Sequence, residues 1–448
     1  MNFYIAGMYP NTTYKMHWET ATPAGSPLFI GTDYSFTTGS LPTDIAFPTT
    51  TVLVPATPPT SNTAPILIHD YHSQDGSSYI VPTATDLSGN VLWYYPRTVS
   101  LLTRTEVGGN FFIVYVGSTN PYLQIIREVD LAGNIVLETN AQAINEQLVA
   151  LGRRKINAFH HEARRLPSGD IVLLGSDEML VTNAQGGTLQ NPVDVLGAEV
   201  IVLDPNLQVK WVWDAFDFLD ITRVANLGEV CYKGISTGCP IYRLRNTAND
   251  WLHANAVQQS PDGNMIVSLR HQDWVIKINY ANGTGDGHVM WRMGYQGDFT
   301  LLNPPTSPLC TTPDQKDAYQ WFSHQHDANF QLGGNTVMSV FDNGNLRIAK
   351  CDTNGNSRGY ALSVDEVHLQ ATPIVAADLG HPSVALGASE LIAGSPNYHF
   401  ESGWIVPGGY STSMEIAPGG VVNFAMEELA VLTYRSYRMR DLYTPAPQ

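Results

Sequence analysis

The 448-residue chain sets 24 Lys+Arg against 41 Asp+Glu, a formal charge of −17, and this argues against a nucleic-acid partner, since a phosphate backbone attracts basic faces. Its length exceeds what one simple core supports and points to two domains or a repeat array. With 43% hydrophobic residues, no apolar run of membrane-spanning length, 38 Gly, 28 Pro and 21 Tyr, the composition speaks for many short strands joined by turns and against a helical membrane span.

The chain opens MNFYIAGMYPNTTY, in which no basic n-region or apolar h-region of a signal peptide is visible. Gly7-Met8-Tyr9-Pro10-Asn11-Thr12-Thr13-Tyr14 and Asp33-Tyr34-Ser35-Phe36-Thr37-Thr38-Gly39 resemble the last strands of a fibronectin III/Ig-like β-sandwich. A full sandwich takes about 100 residues, so residues 1–45 are expected to form a small, truncated one. The Pro/Thr-rich stretch 47–64 leads into a main body, assigned to residues 46–448.

Within that body one polar turn recurs. Asp86-Leu87-Ser88-Gly89-Asn90 is echoed at Asp130-Leu131-Ala132-Gly133-Asn134, at Asp204-Pro205-Asn206-Leu207-Gln208, from Asn279, at Asp352-Thr353-Asn354-Gly355-Asn356 and at Ile416-Ala417-Pro418-Gly419-Gly420. Successive starts lie 44, 74, 75, 73 and 64 residues apart. Each copy separates two apolar strands, the mark of a four-stranded blade with inserted loops, and six copies predict a six-bladed β-propeller. Helical periodicity is confined to 141–152 (AQAINEQLVALG), so the fold class is all-β.

A second repeat carries imidazole and amide groups. Phe159-His160-His161-Glu162-Ala163, Trp251-Leu252-His253-Ala254-Asn255 and Phe322-Ser323-His324-Gln325-His326 each precede a turn, eight residues separating His161 from Gly169, Asn255 from Gly263 and His326 from Gly334. Equivalent blade positions surround one axis, so the three hairpins are expected to share a central funnel. Residues two apart in a strand share a face, which pairs His324 with His326 and His253 with Asn255. Of the adjacent His160 and His161, alignment with His326 selects His161. Arg270, within Leu269-Arg270-His271-Gln272-Asp273-Trp274, stands among apolar residues, where an arginine needs an anion. A structural carboxylate or a captured oxyanion would each serve. His160 and His271 read as structural hydrogen-bonders.

Other motifs compete. His324 and His326 with His253 would suit zinc, but a guanidinium beside a metal ion is repulsive, which tilts the reading toward an oxyanion. Gly234-Ile235-Ser236-Thr237-Gly238 matches G-x-S-x-G without the strand and helix that a nucleophile elbow requires. Cys231 and Cys239 close a short loop and are candidates for a disulfide, with Cys310 and Cys351 as a second pair; four reduced thiols are the alternative.

At these residues the chain resembles the bacterial arylsulfotransferases that take aryl sulfate esters, in place of 3′-phosphoadenosine 5′-phosphosulfate, as donors. The resemblance rests on HHEARRLPSGDIVLL, WLHANAV, SLRHQDWVIKI, SHQHDANF and the closing YRSYRMR, and spans nearly the whole chain. It implies a small sandwich before a six-bladed propeller. It also implies transfer of a sulfuryl group from an aryl sulfate donor to a phenolic acceptor, ping-pong through a sulfohistidine and with no cofactor. By position, His326 would carry the group, His161, His253 and Arg270 would act beside it, and Asn255 would bind substrate. His324, on the face of His326, is a further candidate for substrate binding. A periplasmic or secreted location is expected, and a homodimer is left open. One departure is Asp327-Ala328 where the family commonly has Thr-Ala after the histidine; a carboxylate there would repel sulfate unless it faces outward, as strand alternation permits. Two other readings remain: a non-enzymatic propeller that binds glycan or protein, and a sulfate-ester hydrolase.

Overall fold

The computed structural model describes residues 4–445 except 75, 234–237, 242, 243 and 332. Residues 234–237 of the G-x-S-x-G match therefore lie outside the described residues. The chain is mostly β, built of small antiparallel sheets.

Six of these sheets share one plan. The first joins Ile66–Ser73, Thr83–Asp86 and Val91–Tyr94, and the C-terminal strand Val431–Met439 pairs antiparallel with Ile66–Ser73. The second runs Leu101–Glu106, Asn110–Tyr115, Ile125–Asp130, Ile135–Asn140; the third Ala158–Arg165, Ile171–Ser176, Glu199–Leu203, Val209–Asp214. The fourth runs Ala254–Gln259, Met265–Leu269, Trp274–Ile278, Val289–Gly294, and the fifth His326–Phe330, Val337–Asp342, Arg358–Asp365, Gln370–Asp378. The sixth holds Ala388–Leu391, Tyr398–Ile405, Tyr410–Ile416 and Val422–Leu429. The leading strand of each packs on the leading strand of the next, from Leu101–Glu106 round to Val431–Met439 and back, which closes a circuit.

Packing explains the circuit. The apolar clusters lie between successive sheets: Phe111 and Trp93 between first and second, Phe159 and Phe112 between second and third, Val200 and Val267 between third and fourth. Phe330 with Val275, Phe400 with Phe341, and Leu67 with Phe424 fill the other three interfaces. Such strands are covered on both faces, which is why Ile171–Ser176 is buried along its whole length.

The recurrent turn has a local cause. Asp86 Oδ1 accepts from the Ser88 and Asn90 amides, Asp130 Oδ1 from Ala132 and Asn134, and Asp204 Oδ1 from Asn206 and Gln208, at 2.8–2.9 Å. Gly89 and Gly133, at φ +85° and +79°, take the left-handed position inside the first two. Five of the six copies connect the third and fourth strands of a sheet. The copy at Asp352 departs from that plan: it lies between the second and third strands of the fifth sheet, after the inserted helix Asn345–Lys350.

The predicted helix is present as Ala141–Ala150, capped by Asn140, whose side chain accepts from the Ala143 amide. Near the N-terminus, Thr13–Met16 pairs with Tyr34–Thr37, and Glu19–Ala21 with Pro27–Ile30, as two two-stranded sheets. Thr49–Val54, read as linker from its composition, is an outer strand of the sixth sheet, paired with Val422–Leu429. One inserted sheet joins Glu178–Val181, Val193–Leu196, Thr247–Asp250 and Val230–Tyr232. Cys231–Cys239 and Cys310–Cys351 are disulfides.

Candidate active site

The three histidine hairpins open at their leading strands. Pairing slips between Phe159 and Ala163, between Ala254 and Ala256, and between His326 and Asn329. His161 and Asp327 inside these slips, and His253 and His324 just before their strands, adopt φ of +54°, +50°, +49° and +50°, a region costly for any residue with a Cβ. Strand alternation therefore fails where it was applied. The distortion re-aims side chains, and such bulges commonly sit beside active sites.

His161, His253, Arg270 and His326 all line one cavity of about 560 Å³, a volume suited to a small aromatic ligand. The His161 ring lies 4.9 Å from that of His253 and 6.5 Å from that of His326. Leu101, Val230, Ala385, Leu386, Trp404 and Leu432 supply an apolar wall, and the Cys231–Cys239 disulfide borders it. A second cavity of about 550 Å³, near Tyr4–Pro10 and Trp93, is lined by no histidine, arginine or carboxylate.

Hydrogen bonds fix the state of each ring. Asn343 Nδ2 donates to the Ser383 and Leu386 carbonyls at 2.7 and 3.0 Å, so its Oδ1 faces His326 Nδ1 at 2.7 Å. Nδ1 must then carry the proton, which leaves the lone pair of His326 on Nε2. Burial, with Arg270 nearby, holds His326 well below the ordinary imidazole range, so the ring is neutral near pH 7. His253 Nδ1 lies 2.7 Å from Asp250 Oδ2. Burial pushes the Asp250 carboxyl up, but His253 and His271 outweigh it and hold the group at about 2. Burial also drives His161 well down; its Nδ1 is 3.1 Å from His160 Nδ1, and Tyr434 donates to its carbonyl at 2.6 Å.

Arg270 is held from behind. Its Nη1 donates to His271 Nε2 at 2.6 Å and its Nη2 to the Val384 carbonyl at 3.1 Å, while His271 Nδ1 donates to the Asp250 carbonyl at 2.6 Å. Asp250, His253 and His271 bring ligand atoms within 4.8 Å of one another, a set that could hold a metal ion. The lone pair of His271 is already taken by a guanidinium, whose charge would repel such an ion.

The other candidates lie off the cavity wall. Asn255 is wholly buried, its Nδ2 donating to the Gln325 carbonyl at 2.7 Å. His324 is clamped by Asp273 Oδ1, 2.8 Å from its Nδ1, and by Glu229 on its Nε2; burial lowers its pKa, but the two carboxylates prevail and raise it. Asp327 does not line the cavity, so its carboxylate is kept from a bound sulfate. It accepts from Arg104 Nη2 at 2.7 Å and from the Ser389 amide at 3.0 Å, and lies 3.5 Å from Arg435 Nε. Glu162 completes this buried quartet with bonds to Arg104 and Arg435, so two positive and two negative charges offset one another away from the cavity wall. Asp250, Glu229, Asn343 and Tyr434 were not proposed as site residues from sequence, although Asp250 stands next to the Trp-Leu-His repeat and Tyr434 opens YRSYRMR.

A family model described as Arylsulfotransferase (ASST) matches residues 56–417. No curated protein matches the chain. Among solved structures, a protein of unknown function from Bacteroides caccae is 10% identical, with 84% of this chain and 100% of that one covered and a TM-score of 0.39. A quinonprotein alcohol dehydrogenase-like protein from Bacteroides thetaiotaomicron is 9% identical, with 96% and 91% covered and a TM-score of 0.39. The periplasmic gluconolactonase of Pseudomonas aeruginosa is 11% identical, with 97% and 98% covered and a TM-score of 0.36.

Proposed function

The chain belongs to the arylsulfotransferase family, and from that premise we propose that it moves a sulfuryl group from an aryl sulfate ester to a phenol through a sulfohistidine at His326. The observation that carries the proposal is the His326–Asn343 bond, which leaves a neutral imidazole with its Nε2 lone pair available in a cavity that also holds Arg270. The circuit of six sheets is read as a six-bladed β-propeller with the cavity at its axis, and residues before about 46 as a separate N-terminal segment.

In the first half-reaction His326 Nε2 attacks sulfur, and the N–S bond forms as the S–O(aryl) bond breaks. The aryl oxygen leaves with the electron pair. His253, supported by the Asp250 carboxylate, supplies a proton to that oxygen, and the neutral ring of His161 packs beside it. Arg270 binds sulfuryl oxygens whose charge grows in the transition state. The Nδ1–H bond to Asn343 strengthens as the sulfated ring becomes cationic. An acceptor phenol then attacks sulfur, gives its proton to the same base and regenerates His326. Each step uses only the chain's own side chains.

The apolar wall of Leu101, Leu386, Trp404 and Leu432 supports an aromatic donor and acceptor over a small inorganic anion. Two disulfides, with no helix among the described residues long and apolar enough to cross a membrane, are compatible with an oxidising compartment, periplasmic or extracellular. The test is a chromogenic aryl sulfate with and without a phenol. Acceptor-dependent release of the chromophore supports the transferase; acceptor-independent release makes the protein a hydrolase; silence with both favours a binding protein.

A further inference from the structure

Three buried carboxylates converge where the inserted sheet leaves the third sheet. Asp177 links Ile171–Ser176 to Glu178–Val181, and Glu199 opens the strand reached after Val193–Leu196. Asp214 ends Val209–Asp214, before the segment that runs to Val230–Tyr232 and Thr247–Asp250. Asp177 and Glu199 are 0% exposed and Asp214 3%. One oxygen from each lies within 4.8 Å of the others.

Their surroundings leave them short of partners. Neither oxygen of Asp177 nor either of Glu199 has a hydrogen-bond partner, although buried carboxylates nearly always find one. The neighbouring cation is Arg154, whose Nε lies 2.8 Å from Asp214 Oδ2 and 3.4 Å from Asp177 Oδ2; Asp214 Oδ1 accepts from the Phe216 amide. Arg154 is shared with Asp217, which also lies 3.5 Å from Arg153, so four carboxylates face two guanidiniums and two negative charges are left over, and buried uncompensated charge is costly. Gly197 stands beside them with no side chain; a Cβ there would come within 2.5 Å of Asp177 Oδ1.

Two protons or one divalent cation would cancel the excess charge. The donors are all oxygen, which suits a hard cation, and calcium accepts several carboxylates in irregular geometry, with ligands on opposite sides about 5 Å apart. We propose that Asp177, Glu199 and Asp214 bind one calcium-type divalent cation that fastens the inserted sheet to the third sheet. That sheet carries Val230, Cys231 and Asp250 into the cavity wall, and Asp250 in turn holds His253. The cation thus has a structural duty at the root of one wall of the site, whatever reaction the site performs.

The test begins with metal analysis of protein purified without chelator. The same preparation is then stripped with EDTA and titrated with calcium chloride by calorimetry, beside a D177N/E199Q double variant whose amides keep the shape and remove the repulsion. About one equivalent of calcium per chain is expected, with a thermal midpoint several degrees higher when bound. The variant should bind roughly 100-fold more weakly or not at all, and calcium should leave its midpoint unmoved. Hydrogen exchange on the unmodified protein should show calcium-dependent protection of Glu178–Val181 and Thr247–Asp250, which decides the matter even if the variant does not fold. Protein that neither retains nor binds calcium, equal binding by the variant, or protection confined to other strands would each overturn the proposal.

Discussion

Replacing Arg270 by lysine keeps the charge and removes the fork. A guanidinium has five N–H donors and an ammonium three. In the protein two donors of Arg270 are engaged, one with His271 Nε2 and one with the Val384 carbonyl. Three remain for an anion, enough to meet two sulfuryl oxygens at once. A lysine that satisfied the same two partners would keep one donor for the anion. The loss is then one charge-assisted hydrogen bond, about 1.5–3 kcal/mol, so kcat/KM for an aryl sulfate should fall roughly 10- to 150-fold. The assay compares turnover of a chromogenic aryl sulfate, per folded molecule, with the thermal midpoint of the same samples. If the midpoint drops while turnover per folded molecule is unchanged, Arg270 is a structural tie between the Asp250 loop and Val384, and its catalytic role is refuted.

Asn343→Ala removes the acceptor that fixes the His326 tautomer, and should lower kcat about 10- to 100-fold with little change in KM; an unaltered kcat at saturating donor would contradict this. Asp327→Asn leaves Arg104 and Arg435 facing Glu162 alone, and should cost about 3–5 kcal/mol in denaturant unfolding while activity per folded molecule persists. Lost activity at unchanged stability would mean that Asp327 meets substrate after all. Burial lowers His160 and His381 to about 4 and His69 to about 3, below the unfolded value of about 6.5. The unfolded chain therefore binds more protons in that window, so their stabilisation is complete above about pH 6.5 and is lost as pH falls toward 4. A thermal midpoint that stays flat between those pH values would contradict the assignment.

What the sequence disclosed is what depends on neighbours along the chain. The Asp-x-x-Gly-Asn turn is closed by the aspartate's own bonds to amides two and four residues on, so it is visible wherever it occurs. It misled once, at Asp352, because an inserted helix carries the same turn chemistry at a different joint of the fifth sheet. His161, His253 and His326 were legible through their common place in three hairpins. The orientation of their neighbours was not: His161 and Asp327 within the slipped pairing, and His253 and His324 just before their strands, sit at positive φ, and alternation no longer predicts a face. Asp327 illustrates the limit, since its partner Arg104 is 223 residues away. Asn343 reads from sequence as a turn residue, and its role toward His326 was hidden for the same reason: its amide orientation is set by carbonyls of Ser383 and Leu386 in a distant loop.

The most direct measurement is the intact mass of protein given an aryl sulfate and no acceptor, followed by peptide mapping. A gain of one SO₃ unit is expected on the peptide containing His326, labile to acid, discharged when a phenol is added and absent from His326→Ala. His253→Ala and His161→Ala should still form the adduct, more slowly. An adduct that persists in His326→Ala would move the nucleophile elsewhere. Active wild-type protein with no adduct and sequential kinetics would replace the sulfohistidine by direct transfer between two bound phenols.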